Sequence, residues 1–399
     1  MRHSFLMTGF IAALLCSTAV LADDDQAGRL SLTDGIILNK EKTDTRDITE
    51  ESLQNTMQEA ENQNIFDDED EDENKGFLSF LKFSFADKKE HKAVTPEKNE
   101  TVEDFFTRVN HQADAGDVNA LMTLGYMYLY GLNGVEMNYK KAFEYYQKAA
   151  DKGDHVAINN LASLYYGGVG VSKNIEKAAE LFAKASDMGN IEASLNLAVI
   201  YLTNQGSLRN EKAAAVLLKK VAEHNNPTGK YLLGYAYLKG IGVPQNKRKA
   251  VENIRFAADK GYDEAQYIMG HLYVQGWGVP QNYNNALKYL NRAANQGNLS
   301  AIQSLGNLYA SSSRIEPNYY KAYIMYNLAT FYGVPDAAEK RDLLATKTLK
   351  KPEVLQAQTE AENFKPSPSE LTKYIRLTFG KSLAVYVDKG APVIQADNE

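Results

Sequence analysis

Small, apolar and aromatic residues recur with a period of 36 residues between positions 117 and 333. Within each period these residues are spaced by three and four, which is the spacing of one face of an α-helix. A fixed period of this length indicates an array of repeats, each a single supersecondary unit. The six repeats run over 117–153, which has one extra residue in its loop, 154–189, 190–225, 226–261, 262–297 and 298–333.

A column of small residues, followed three residues later by a tyrosine, marks the first helix of every repeat. The column consists of Gly125, Ala162, Ala198, Gly234, Gly270 and Gly306. Glycine inside a helix costs about 1 kcal/mol relative to alanine. Its recurrence therefore predicts that another helix approaches the backbone closely at this position.

A second helix follows a loop in each repeat, and an asparagine precedes it. The side-chain oxygen of an asparagine at the N-cap accepts a hydrogen bond from a free backbone N–H of the first turn. The predicted N-caps are Asn138, Asn174, Asn210, Asn246, Asn282 and Asn318. Glycine ends five of these second helices and Asn225 ends the other, as expected for a left-handed C-terminal residue. Repeats three and six lose the G-x-G pattern of the loop (TNQGSLRN, SSSRIEPN), so their hairpins are expected to differ.

The strings AQYIMGHLY, QGWGV and NALKYLNRAANQG, taken from one repeat, resemble the motifs of the Sel-1-like repeat family, short relatives of the tetratricopeptide repeat. The family usually has aspartate where this chain has its capping asparagines. The resemblance implies an all-α, right-handed α-solenoid. It also implies an N-terminal capping helix over 102–116 and a closing helix pair within 334–365. The tail, 366–399, is expected to hold a short helix and a strand.

The resemblance also implies a concave groove lined by the first helices. The lining positions lie three before, one after and four after the small residue. The predicted partner-binding residues are Tyr126, Asn159, Tyr166, Tyr231, Tyr235, Tyr267, His271 and Asn307. Tyrosine supplies rigid area and a hydroxyl, which suits a protein-recognition anchor. The same tyrosines also suit packing between neighbouring helices, and the sequence leaves both roles open.

The N-terminus reads MRHSFLMTGFIAALLCSTAVLADDD, with a basic start, an apolar run and a small residue before acidic ones. This order predicts a signal peptide over 1–22, cleaved after Ala22. Cleavage would remove Cys16, the single cysteine, and with it any disulfide or thiolate site. Residues 23–101 are predicted to form a disordered acidic arm. Its apolar segment, 76–85, either covers the end of the solenoid or docks on a partner or membrane surface.

The sequence contains no convincing catalytic constellation. There is no H-E-x-x-H motif, and the histidines have no metal-ligand spacing. We therefore expect no enzymatic activity, cofactor or metal. Residues 23–100 carry a net charge of −12 and residues 101–399 one of +4, without the basic stripe that nucleic-acid binding requires. After the signal, no apolar run reaches the length of a membrane span.

These features predict an exported scaffold or adaptor that binds a protein or peptide in the groove. Resemblance to bacterial exported members of the family implies a role in cell-envelope assembly, host-cell interaction or virulence. The expected location is the periplasm, the outer membrane or cell surface, or the medium. The alternative is a regulatory or chaperone-like protein whose acidic arm competes for the groove.

Overall fold

A computed structural model describes residues 94, 97, 100–204, 206–310 and 313–387, with the backbone alone for 380–387. The predicted signal peptide, the acidic arm up to residue 93 with its apolar segment 76–85, and residues 388–399 lie outside the described residues. Every regular element in the described ranges is an α-helix, which confirms the all-α prediction.

The helices of the described residues alternate between first and second helices of the repeats, with further helices at both ends. They are α1 Val102–Asp114, α2 Val118–Tyr130, α3 Tyr139–Asp151, α4 His155–Gly167, α5 Ile175–Asp187, α6 Ile191–Thr203, α7 Glu211–Glu223, α8 Pro227–Lys239, α9 Lys247–Asp259, α10 Asp263–Gln275, α11 Tyr283–Asn295, α12 Leu299–Ala310, α13 Tyr319–Phe331, α14 Ala337–Lys347, α15 Lys351–Glu362 and α16 Glu370–Val387.

The chain divides into two compact units. The larger unit holds the described residues up to Gly261 together with Glu370–Val387, and so contains α1–α9 and α16. The smaller unit, Tyr262–Ser369, contains α10–α15. In both units, the two helices of one repeat pack against each other, and each second helix also packs on the first helix that follows it within its unit. This is the helix-hairpin array that the period predicts.

Side-chain caps start the helices, as the asparagine column predicts. The side-chain oxygen of each of the six asparagines accepts a hydrogen bond of 2.8–3.0 Å from the backbone N–H three residues later. First helices are capped in the same way, for example by Asp154 and Asn190. These caps were not predicted from the sequence, although both residues are strong N-cap types. All six predicted C-terminal residues have positive φ, and Asn225 has φ 57°.

The small column allows the two helices of a repeat to approach closely. A Cβ atom added at Gly234 would lie 2.7 Å from Ile254 Cγ1 and 3.1 Å from the carbonyl oxygen of Ala250. At Gly125, it would lie 3.1 Å from the ring of Tyr146. The predicted close approach is therefore confirmed, and the approaching element is the second helix of the same repeat.

The loop glycines have two different tasks. Gly240 ends α8 in the left-handed conformation, with φ 76°, and its added Cβ would have only ordinary contacts, the nearest at 3.6 Å. Gly242, with φ 66°, lies directly against the carbonyl of Glu211, at the start of α7 in the preceding repeat. Gly170 makes the same close approach to the carbonyl of Tyr139. The second loop glycine is thus the point where one repeat packs on the repeat before it.

The loop of repeat three differs from these, as expected from its broken G-x-G pattern, in which Asn204 takes the place of the first glycine. α6 ends at Asn204 in an extended conformation, with φ −66° and ψ 139°, instead of a left-handed glycine.

The ends of the array follow the prediction in part. α1 packs on α2, and the closing helices α14 and α15 pack on α13. The described part of the tail contains no strand, contrary to expectation, because residues Glu370–Val387 form one continuous helix. Thr372, Ile375 and Phe379 fall on one helical face and are buried.

Candidate protein-interaction face

The first helices of the repeats present one side to the second helices and another side away from them. We call the side that points away the first-helix face. In the larger unit, five predicted partner-binding residues belong to α2, α4 and α8. Asn159, Tyr231 and Tyr235 are at most 2% exposed, and Tyr126 is 9% exposed. Tyr166 is half-buried. The predicted residues therefore differ in how much surface they can offer.

Tyrosines pair along single first helices in the larger unit. The rings of Tyr231 and Tyr235, one turn apart on α8, have centroids 6.4 Å apart. On α2, the rings of Tyr126 and Tyr130 are 4.6 Å apart. Lys239 lies 5.9 Å from the centroid of the Tyr235 ring, and burial lowers the pKa of this lysine. The tyrosines thus contribute to the packing of the array.

Buried amides connect neighbouring first helices. The Asn196 side chain on α6 donates a 3.1 Å hydrogen bond to Asn159 Oδ1 on α4. Asn159 also donates to Asn160 at 3.4 Å, and its backbone carbonyl accepts a bond of 2.9 Å from Ser163. Asn159 therefore joins two repeats through polar contacts, and its role in partner binding stays a prediction.

The smaller unit holds the three remaining predicted residues. Tyr267 is buried, and burial, followed by the charge of Glu264, raises the pKa of Tyr267. His271 is 2% exposed, and its ring centroid is 5.9 Å from that of Trp277. Asn307 Oδ1 accepts hydrogen bonds from Tyr326 at 3.0 Å and from Lys340 at 3.2 Å. All three take part in internal contacts.

One helix, α16, lies on the first-helix face of the larger unit and was not predicted there from the sequence. The main described packing contact of α16 is with α6, and α16 does not pack comparably on the second helices α5 and α7 that flank α6. Thr372 Oγ1 donates a 3.3 Å hydrogen bond to the carbonyl of Gly261. Burial, followed by the charge of Glu192 on α6, raises the pKa of Tyr374 well above its usual range. The helical spacing of Thr372, Ile375 and Phe379 is the feature of the sequence from which this helix could have been predicted.

An ion pair next to α1 accounts for one strong pKa shift. The Arg108 guanidinium, 2.7 Å from Glu100 Oε2, lowers the pKa of that carboxyl to about 2.

In the described part of the chain, no three His, Cys, Asp or Glu side chains form a group that could hold a metal ion. Within the same residues, no helix combines the length and apolarity needed to cross a membrane.

Comparison with known proteins identifies the repeats. A family model described as "Sel1 repeat" matches residues 118–154, 155–190, 191–226, 227–262, 263–298 and 300–330. The ERAD-associated E3 ubiquitin-protein ligase component HRD3A of Arabidopsis thaliana is 33% identical over 73 residues, which are 18% of this chain. The match covers only 11% of that relative.

Two solved structures are also similar. A Sel1 repeat protein from Oxalobacter formigenes is 29% identical, with a TM-score of 0.47, over 57% of this chain and 99% of that one. A protective antigen present in uropathogenic Escherichia coli strains, which displays an SLR fold, is 25% identical. Its TM-score is 0.48, over 81% of this chain and 73% of that one.

The family model covers over half of the 399 residues, in six copies that coincide with the six helix hairpins. Sel1 repeats form a type of protein-interaction scaffold. The chain therefore belongs to the Sel1 repeat family.

Proposed function

We propose that this chain is an adaptor that binds a protein or peptide partner through its first-helix face. The observation that carries the proposal is the position of Tyr130 and Tyr166 near the C-terminal ends of the adjacent first helices α2 and α4. Both are half-buried, unlike the fully enclosed Tyr231 and Tyr235. A partly exposed tyrosine on a packed helix combines apolar area with a hydroxyl and loses little conformational entropy when it binds.

The proposal predicts that a Tyr130→Ala/Tyr166→Ala variant loses the partner. The mature protein is cross-linked briefly in cells that naturally produce it, and the captured proteins are compared with those of the variant. The matched control is Tyr319→Ala/Phe331→Ala, which removes two aromatic residues that are 37% and 72% exposed on the second helix α13. The control should keep the partner. Loss in the control with retention in the first variant would contradict the proposal.

We also propose that the chain is exported and acts in cell-envelope assembly or host-cell interaction, including virulence, at the periplasm, the outer membrane or cell surface, or in the medium. The support is the N-terminal sequence of residues 1–22, with its basic start, apolar run and small residue at Ala22. N-terminal sequencing of the protein from its own cells should begin at Asp23. A chain that retains its first residues and stays in the cytoplasm would contradict export.

The scaffold type of the Sel1 fold agrees with a binding function. The absence of enzymatic activity stays a prediction, as does competition by the acidic arm, whose residues lie outside the described ranges up to residue 93.

A further inference from the structure

α16 has one main packing partner in the larger unit, the first helix α6. The described side chains of this helix that are buried are Thr372, Ile375 and Phe379, with exposed fractions of 0%, 1% and 5%. Leu377 and Lys373 on the other side are exposed, and the lysine forms an ion pair with Glu370 within the helix itself. α6 packs on both α5 and α7, whereas the main packing contact of α16 is with α6 alone. Among the described contacts, α16 therefore packs chiefly on a single helix.

The buried residues have the spacing of a helix that enters a groove. Thr372, Ile375 and Phe379 stand at positions i, i+3 and i+7. Amphipathic helices that bind in hydrophobic grooves use anchors at this spacing. The segment before α16 contains Pro366 and Pro368, which interrupt helical structure and separate α16 from the closing pair. The anchors of α16 thus have the spacing of a helical ligand.

α6, the helix on which α16 packs, carries the most apolar of the predicted lining sets. Its three positions on α6 are Leu195, Val199 and Leu202, which are 0%, 3% and 4% exposed. The equivalent positions on α4 are Asn159, Ser163 and Tyr166, which are more polar. An aliphatic strip of this kind is suited to the apolar side of an amphipathic helix.

We propose that the first-helix face over α6 binds an amphipathic α-helix of a partner protein, with apolar anchors at i, i+3 and i+7, and that α16 fills this site in the free chain. This inference rests on the proposed function, because it names the kind of partner that the first-helix face accepts. The partner must displace α16. A tethered helix competes at an effective concentration on the order of 1 mM. The tethered α16 therefore lowers the apparent affinity of the site for the partner.

The test uses full-length chains and a fluorescent peptide of residues 366–387. The variant Ile375→Asp/Phe379→Asp releases α16, because a charge in an apolar contact is unfavourable. The control Leu377→Asp places the same charge on the outer side, where Leu377 is 51% exposed. We expect the peptide to bind the released variant at least tenfold more tightly than the wild type or the control. A peptide carrying both Asp substitutions should bind none of them.

Equal peptide affinities for the released variant and the wild type, or no binding to the released variant with unchanged circular dichroism and thermal unfolding, would overturn the inference. Hydrogen exchange of the wild type tests it without substitution, which matters if the released variant does not fold. The amides of α16 should exchange through local opening, well before those of α6 and α8. Exchange of α16 only upon global unfolding would make it an integral part of the fold and overturn the inference.

The outcomes also separate this inference from the proposed function. A partner lost in the Tyr130→Ala/Tyr166→Ala variant, combined with no peptide binding, would overturn only the helix-binding site. If the peptide binds as expected but the Tyr130→Ala/Tyr166→Ala variant still captures the partner, only the assignment of the partner surface to these tyrosines is overturned.

Discussion

Replacing Gly242 with alanine should lower the free energy of unfolding by about 3 kcal/mol, from strain in the left-handed region and overpacking against a backbone group. Gly242 has φ 66°, and its added Cβ would overlap the carbonyl of Glu211 in the preceding repeat. Because that carbonyl belongs to the backbone at the start of α7, it cannot move aside as a flexible side chain could.

The matched control is Gly240→Ala, in the same loop and with a similar φ of 76°. The nearest atom to its added Cβ is 3.6 Å away, so only the conformational strain of about 1–2 kcal/mol remains. Urea denaturation, followed by circular dichroism, measures both variants. Equal losses at the two positions would show that the contact between repeats at Gly242 does not contribute to stability.

Replacing Tyr146 with alanine should cost about 3–5 kcal/mol, as for other large buried aromatic residues. Tyr146 is 0% exposed, and its ring lies against Gly125 of the first helix. Tyr146→Phe should behave differently, because the hydroxyl is buried without a hydrogen-bond partner among the described residues. Removing an unsatisfied buried hydroxyl should be neutral or raise stability by about 1 kcal/mol.

The hydroxyl of Tyr146 also predicts a dependence on alkaline pH. Burial, with Tyr126 as a second cause, raises the pKa of Tyr146 well above the usual value of 10.0. The folded chain therefore keeps the proton while the unfolded chain loses it above about pH 10. The stabilisation is complete below pH 10 and declines as the pH rises towards the folded pKa. The Phe variant should lack this component, so the free energies of wild type and variant should diverge above pH 10. Free energies of unfolding that change in parallel for wild type and Phe variant above pH 10 would contradict this prediction.

The periodic sequence predicts the local structure of this fold well. The asparagine column identifies the caps of the second helices. Gly234 identifies the close contact between the two helices of its repeat. Both effects depend on residues within a single repeat. The second task of the loop glycines was not predicted. Gly242 contacts the backbone of Glu211, 31 positions earlier, and a pattern within one loop does not reveal such a contact.

The candidate face was harder to predict than the fold. Spacing places Tyr231 and Tyr235 among the lining positions, yet it does not show that neighbouring elements enclose both side chains. The docking of α16 is a contact between Glu370–Val387 and α6, more than 160 residues earlier in the chain. The anchor spacing of α16 was visible in the sequence, but the surface that it covers depends on the tertiary fold.

The most direct test of the account is hydrogen exchange of the full chain with and without the captured partner. If the partner binds the first-helix face as a helix, amides of α4 and α6 should become more protected while those of α16 exchange faster. Protection confined to the second helices, with no change in α16, would contradict both the assigned face and the displacement of α16.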